Sequence, residues 1–257
     1  MFIERSGQGP NLVLLSGWAM TRHCWHQLIP ALEKHYKTVR VDLPGHGDGC
    51  GSCFSFSRMD ELITELSNLC EEEATWIGWS LGGLLAQHVA QTYPHKVKRL
   101  ICVGSTPCFL QKNDWSEGIS EADYNQFLKI FVADNSIALE QFLTLQVVDS
   151  ENANETFKIL KLLLVNNYEP KELIAALELL RSQDMRKAIA KYKGPVLFIG
   201  GDADRLVSAS NLKASSTLTP KGEVNIIAKA GHASMISHFE EFSERLTEYL
   251  YKTDVYK

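Results

Sequence analysis

Basic charge is in short supply here. The 257 residues carry 26 Lys and Arg against 31 Asp and Glu, a formal net charge of −5. Gripping nucleic-acid phosphates takes a basic face, and the chain has no cationic excess to build one, which argues against a general nucleic-acid binder. No N-terminal leader is expected either: Met1-Phe2-Ile3-Glu4-Arg5 is not a basic stretch followed by a long apolar segment. Nowhere is there an apolar run of the roughly 20 residues a bilayer span needs. A soluble, cytoplasmic protein with no membrane partner is expected.

Cysteine is also sparse. Six residues (Cys24, Cys50, Cys53, Cys70, Cys102 and Cys108) in a chain this long do not make a disulfide framework, so reduced thiols are the expectation. One C-x-x-C occurs, Cys50-Gly51-Ser52-Cys53, with His46 four residues before it. No second cysteine pair closes a tetrahedral site, and the pair lies in a Gly-rich loop where a redox motif would open a helix. No metal or cofactor is expected. Internal repeats and low-complexity stretches are absent.

What is present is enough apolar material, 45% of residues, for a sizeable core. The length suits one large α/β domain, or one domain with an insertion. Leu12-Val13-Leu14-Leu15 is a continuous apolar run, suited to a strand buried on both faces of a parallel sheet. Similar runs follow at Thr38–Val41, Trp76-Ile77, Val97–Val103, Pro195–Gly200 and Val224–Ile227. Helical spacing alternates with them: Trp25 to Tyr36, Met59 to Cys70, Leu81 to a stop at Pro94, and Phe239 to Leu250. The alternation predicts an α/β fold with a mostly parallel, doubly wound sheet. Ligands in that architecture gather at the carboxyl ends of the strands. Ser80, the Gly17-Trp18 loop and the Asp42–Gly47 loop fall on that edge. From Cys108 to Tyr192 strand-like runs give way to helical ones, which predicts a core of 1–107 and 193–257 with a helical lid of 108–192 inserted between strands. Between Gln111 and Lys187 there are 8 Lys and Arg against 13 Asp and Glu, so this lid is net acidic.

The chain is organised around Gly78-Trp79-Ser80-Leu81-Gly82, a Gly-x-Ser-x-Gly stretch entered from a strand pattern and left through a helical one. A serine at so sharp a turn takes a strained backbone, and the flanking glycines remove side chains that would collide there. The turn opens a helix, so unpaired amides, that of Leu81 among them, point at charge developing beside Ser80. The motif reads as a nucleophile elbow. A serine hydroxyl is a weak nucleophile at neutral pH and needs a base and a group that orients the base. His232, just past the final strand in Ala230-Gly231-His232-Ala233, is the best base; the other histidines, His46 in its turn included, read as structural or solvated. The acid has two candidates, Asp202 and Asp204. Asp204 is preferred, because the spacing Asp-x-x-Val keeps the carboxylate in the loop while Val207 turns back to the fold. The second oxyanion donor is expected from the backbone of Trp18, beside that of Leu81.

With these residues laid out, the sequence resembles the α/β-hydrolase superfamily and, more narrowly, its pimeloyl-[acyl-carrier protein] methyl ester esterase family. The resembling stretches are Leu14-Leu15-Ser16-Gly17-Trp18, Val41-Asp42-Leu43-Pro44-Gly45, Ile77-Gly78-Trp79-Ser80-Leu81-Gly82-Gly83, Thr106-Pro107-Cys108-Phe109, Gln141-Phe142-Leu143-Thr144-Leu145-Gln146 and Ala228-Lys229-Ala230-Gly231-His232-Ala233. The resemblance implies a serine esterase of biotin biosynthesis that removes the methyl group from a pimeloyl chain on acyl carrier protein, through an acyl-enzyme and without cofactor or metal. Ser80, Asp204 and His232 carry over as the triad. Trp18 and Leu81 carry over as oxyanion and substrate contacts, and Phe142, Leu143, Thr144, Leu145 and Gln146 as a lid segment against the acyl chain. A monomer is expected. Two departures stand out. Ser16 replaces the histidine that many superfamily members place before the oxyanion-hole glycine. Where the family's lid is expected to offer arginines, this one reads Ile137, Gln141 and Asn154, with Lys158 and Lys161 as the nearby basic residues. An acidic lid should attract an acidic carrier weakly, which keeps a general short-chain carboxylesterase as the alternative.

Overall fold

The computed structural model describes residues 1–255. Seven strands form one sheet: β1 (Phe2–Ser6), β2 (Asn11–Leu15), β3 (Lys37–Asp42), β4 (Ala74–Trp79), β5 (Val97–Val103), β6 (Val196–Gly201) and β7 (Gly222–Ile227). Their spatial order is β1-β3-β2-β4-β5-β6-β7. All neighbours are parallel except β1, which runs antiparallel to β3 along one edge.

The central strands β2, β4 and β6 are buried on both faces because they are apolar at nearly every position, and side chains alternate between faces with a period of two. Val13, Leu15, Trp76, Leu100, Cys102 and Phe198 pack on one side with Leu62, Leu84 and Leu212 from the helices Met59–Ser67, Leu81–Thr92 and Ala209–Leu218. Leu12, Leu14, Ile77, Ile101, Val103, Leu197 and Ile199 pack on the other with Phe242 and Leu246 from the helix Phe239–Val255. This is the architecture the apolar runs predict. It is an α/β fold, with a mostly parallel sheet and helices on both faces.

Two segments differ from the sequence reading. The edge strand β1 has no apolar run to announce it. Half-exposed along its length, it is held by pairing to β3, where Glu4 stands opposite Arg40 and forms an ion pair at 3.0 Å. The stretch Trp25 to Tyr36 is not a continuous helix either. A 3-10 turn at Arg22–Trp25 leads into it, and one helical turn forms within it at Ile29–Leu32. Pro30 lacks an amide hydrogen and fits only a first turn, so the helix begins at Ile29, with Pro30 second in it, and cannot extend further backwards. Trp25, Leu28, Ile29, Leu32 and Tyr36 still bury against the sheet.

After β5 the chain leaves the sheet and returns only at β6. Four substantial helices lie between: Glu121–Ala133, Asn135–Val147, Ala153–Leu163 and Pro170–Ser182. The first two are capped by side chains that accept orphan amides: Ser120 takes that of Asp123, and Asp134 that of Ile137, both at 3.1 Å. The segment is sewn to loops at the carboxyl edge of the sheet by backbone bonds, Thr21 N–H to the Leu163 carbonyl, Val165 N–H to that of Ala19, and Gly47 N–H to that of Asn167.

Candidate active site

Ser80 stands between the end of β4 and the helix Leu81–Thr92, at φ 53° and ψ −114°. Few non-glycine residues adopt a positive φ, and here the surroundings hold it in place. The Ser80 amide donates to the Val103 carbonyl at 2.9 Å, and its carbonyl accepts the Ser105 hydroxyl at 2.7 Å. The flanking glycines are a steric necessity. A Cβ on Gly78 would lie 2.3 Å from the Gly82 backbone, and one on Gly82 would lie 2.4 Å from the Leu15 carbonyl oxygen. The strand therefore turns into the helix with almost no space to spare. Leu81 is the first helical residue, so its amide has no carbonyl one turn back to satisfy it. The Leu81 side chain itself is fully buried in the core.

His232 and Asp204 meet as a buried pair. His232 Nδ1 lies 2.8 Å from Asp204 Oδ2, and both side chains are fully buried. The other carboxylate oxygen accepts the amides of Leu206 at 2.8 Å and Val207 at 3.0 Å. Three partners thus lock the Asp204 carboxylate, and a carboxylate so held favours the Nδ1–H tautomer of the imidazole. Asp202, the other acid candidate, is exposed and instead accepts the Lys229 amide at 2.5 Å. His232 Nε2 has no hydrogen-bond partner among the described residues and is buried.

Ser80 opens onto a cavity of about 130 Å³ with almost wholly apolar walls. Trp18 lies along it, its indole N–H fixed to the Leu173 carbonyl at 2.8 Å and its ring edge-on to Phe127, Phe131 and Phe142. Of the five residues from Phe142 to Gln146, only Phe142 and Leu145 line the cavity. The helical period explains why. Leu143 turns into the core on the next face, Thr144 is exposed and bonds back to the Glu140 carbonyl, and Gln146 is buried off the cavity. Walls that sequence reading did not name come from Leu110, Tyr124, Phe127, Leu177, Leu180 and Leu206. Tyr124 and Phe127, three apart and followed by Phe131, form an aromatic stripe that marks the face of their helix turned toward Trp18.

The α/β hydrolase fold family matches residues 10–239 of this sequence. The chain belongs to the α/β-hydrolases, and relatives that match nearly all of it place it in their pimeloyl-[acyl-carrier protein] methyl ester esterase family. A protein of that name from Xylella fastidiosa (strain M12) is 34% identical over 254 residues, covering 97% of this chain and 98% of the relative. Another, from Xanthomonas oryzae pv. oryzae (strain MAFF 311018), is 36% identical over 258 residues with the same coverage. Among solved structures, a bromoperoxidase from Bacillus anthracis superposes with a TM-score of 0.89 at 24% identity, covering 96% of this chain and 94% of that one. An esterase from Exiguobacterium antarcticum gives 0.88 at 20% identity, with the same coverage. These last two similarities speak to the fold.

Elsewhere in this hydrolase, His46 is fully buried with Nδ1 2.8 Å from the Pro44 carbonyl, and burial pushes its imidazole down to about 4. It lies outside the cavity lining and serves the turn, as the sequence suggests. Cys50 is half-buried and Cys53 exposed, both as free thiols, and burial raises the Cys50 thiol. Among the described residues no cluster of three or more His, Cys, Asp or Glu could hold a metal ion, and no helix is long and apolar enough to cross a membrane.

Proposed function

We propose that this chain is a serine carboxylesterase that hydrolyses the methyl ester of a pimeloyl chain carried on acyl carrier protein, a step of biotin biosynthesis. The observations that carry the chemistry are the positive-φ serine on the wall of an apolar cavity and the buried His232–Asp204 pair, whose backbone is bonded to Trp79 next to that serine. The substrate is supported by the shared name of relatives that match nearly the whole chain.

Ser80 Oγ adds to the ester carbonyl carbon while its proton passes to His232 Nε2. Asp204 holds the ring and stabilises the imidazolium that forms. The oxyanion is met by the backbone amides of Leu81 and Trp18, each such donor contributing about 2.7–4 kcal/mol to the transition state. The tetrahedral adduct collapses, methanol leaves with the proton from His232, and the acyl group remains on Ser80. Water, deprotonated by the same imidazole, then attacks the acyl-enzyme and releases the free carboxylate. The acyl chain lies against Trp18, Phe142 and Leu145, and the helices between β5 and β6 act as its lid. No step requires a metal or cofactor.

A second reading, a carboxylesterase for free short-chain esters, is favoured by one observation: the net-acidic helical segment, with Ile137, Gln141 and Asn154 on it. One experiment separates the two. It compares kcat/KM for carrier-bound pimeloyl methyl ester with that for a free short-chain ester, at low and moderate salt, with Ser80→Ala as the control. A large preference for the carrier-bound ester that weakens with salt supports the first reading. Equal values at both salts would replace it with the second, and full activity in Ser80→Ala would overturn both.

A further inference from the structure

The base of this site sits on a loop, five residues beyond the end of β7. Asp204 orients the imidazole, but a ring is only as well placed as the backbone that carries it. That backbone is bracketed from two sides. The His232 amide donates to the Gln146 carbonyl at 2.9 Å, near the end of the helix Asn135–Val147. Gly231 permits this approach, since a Cβ there would lie 2.4 Å from the same oxygen. On the other side the His232 carbonyl accepts the indole N–H of Trp79 at 3.0 Å.

Trp79 is the last residue of β4 and the immediate neighbour of Ser80. It is 1% exposed, and its ring centroid lies 5.7 Å from that of His232 at a 40° tilt. Its strand lies inside the sheet, paired to β2 on one side and β5 on the other. An indole has a single donor and no acceptor, so the tether commits its whole hydrogen-bonding capacity to the base. Hydrophobic packing at this position asks only for a large flat side chain. The N–H is the part of the residue that packing does not require.

We propose that Trp79 is a positioning residue: it ties the backbone of the base to the strand that carries the nucleophile, so that Ser80 and His232 keep their separation as one body. The inference rests on the assignment of Ser80 as nucleophile and His232 as base. It places the effect in the chemical step, because the indole bonds only the histidine carbonyl and is not part of the cavity wall.

The test replaces Trp79 by 3-benzothienylalanine, which keeps the two-ring shape and puts sulfur where the N–H was, with Trp79→Phe alongside. Hydrolysis of p-nitrophenyl butyrate gives kcat and KM, and thermal melting reports the fold. A displacement of about 1 Å in a catalytic group lowers rate by about 100-fold, so a loosened base is expected to lower kcat about 10- to 100-fold in both variants. KM is expected to stay within about 2-fold of the parent, and the isostere to keep the parent melting temperature. An isostere with parental kcat would overturn the proposal, whether or not Trp79→Phe is impaired, because shape rather than the bond would then be what matters. A rise in KM at constant kcat would overturn it too, by assigning the indole to binding. Ser80→Ala is assayed in parallel: if it keeps activity, the site assignment falls and the proposal with it. If only the isostere behaves like the parent, the site assignment stands and the proposal alone falls.

Discussion

Replacing Asp204 by asparagine tests the orienting role proposed for it without disturbing the shape of the site. Asp204 Oδ1 accepts the Leu206 and Val207 amides, and Oδ2 faces His232 Nδ1 at 2.8 Å. In Asp204→Asn the carbonyl oxygen must keep the position that meets two amides, since the NH2 group has nothing to accept with. The NH2 group then points at His232 Nδ1. A donor now confronts that nitrogen, so the imidazole takes the tautomer with its proton on Nε2, and the atom meant to accept the Ser80 proton already carries one. Wrong-tautomer sites of this type lose about 10⁴-fold in kcat, about 5.4 kcal/mol of transition-state stabilisation. KM should change little, because the carboxylate does not line the cavity. Steady-state hydrolysis of a chromogenic ester reads both constants, and thermal melting checks that the pair of amide bonds has survived. Activity within tenfold of the parent in a folded Asp204→Asn protein would refute the assigned role. So would an Asp202→Asn variant that is equally impaired, given that Asp202 is exposed and bonded to Lys229.

Other outcomes follow from the same geometry. Burial holds the imidazoles of His46 and His88 at about 4, so the unfolded chain takes up their protons near 6.5 while the folded one does not. Stability is therefore full above about pH 6.5 and falls as pH drops toward 4, by about 2 kcal/mol per group at pH 5. Urea unfolding at pH 7 and pH 5 measures the loss, and His46→Asn should remove about half of the difference. Gly82→Ala drives a methyl group to 2.4 Å from the Leu15 carbonyl oxygen and should destabilise the fold by about 2–4 kcal/mol, read by thermal melting; an unchanged melt would mean the elbow has room to relax. Phe142→Ala removes an apolar wall packed edge-on to Trp18 at 4.9 Å, and about 1.5–3 kcal/mol of side-chain burial corresponds to a 10- to 100-fold lower kcat/KM for long acyl esters. Acetyl esters should be much less affected, and an equal loss for both would place Phe142 outside acyl recognition.

Most strands could be read directly from the chain because each holds a short apolar run that the sheet buries, and such runs end at turn residues. β1 could not, since an edge strand with Glu4 and Arg5 in it looks like a solvated terminus until Arg40 is beside it. The helix expected from Trp25 to Tyr36 has the right apolar positions, and they do bury, but the backbone between them is limited by Pro30. Periodicity reports which side chains face the core more dependably than it reports what the backbone does.

By itself the sequence determined the sharp strand-to-helix turn at Ser80 and the place of His232. The close approach of Gly78 to Gly82 is a matter of five residues, and a histidine in a Gly-containing loop just past the last strand falls on the edge that carries Ser80. Tertiary structure decided which of two acids meets that histidine, which residues between Phe142 and Gln146 reach the cavity, and how far burial lowers His46. Those outcomes depend on contacts such as Asp204 with His232, 28 residues apart, and Trp18 with Leu173, 155 apart. Local sterics act within a turn and are written in neighbouring residues. Partners so far apart along the chain are set by the packing of the whole fold.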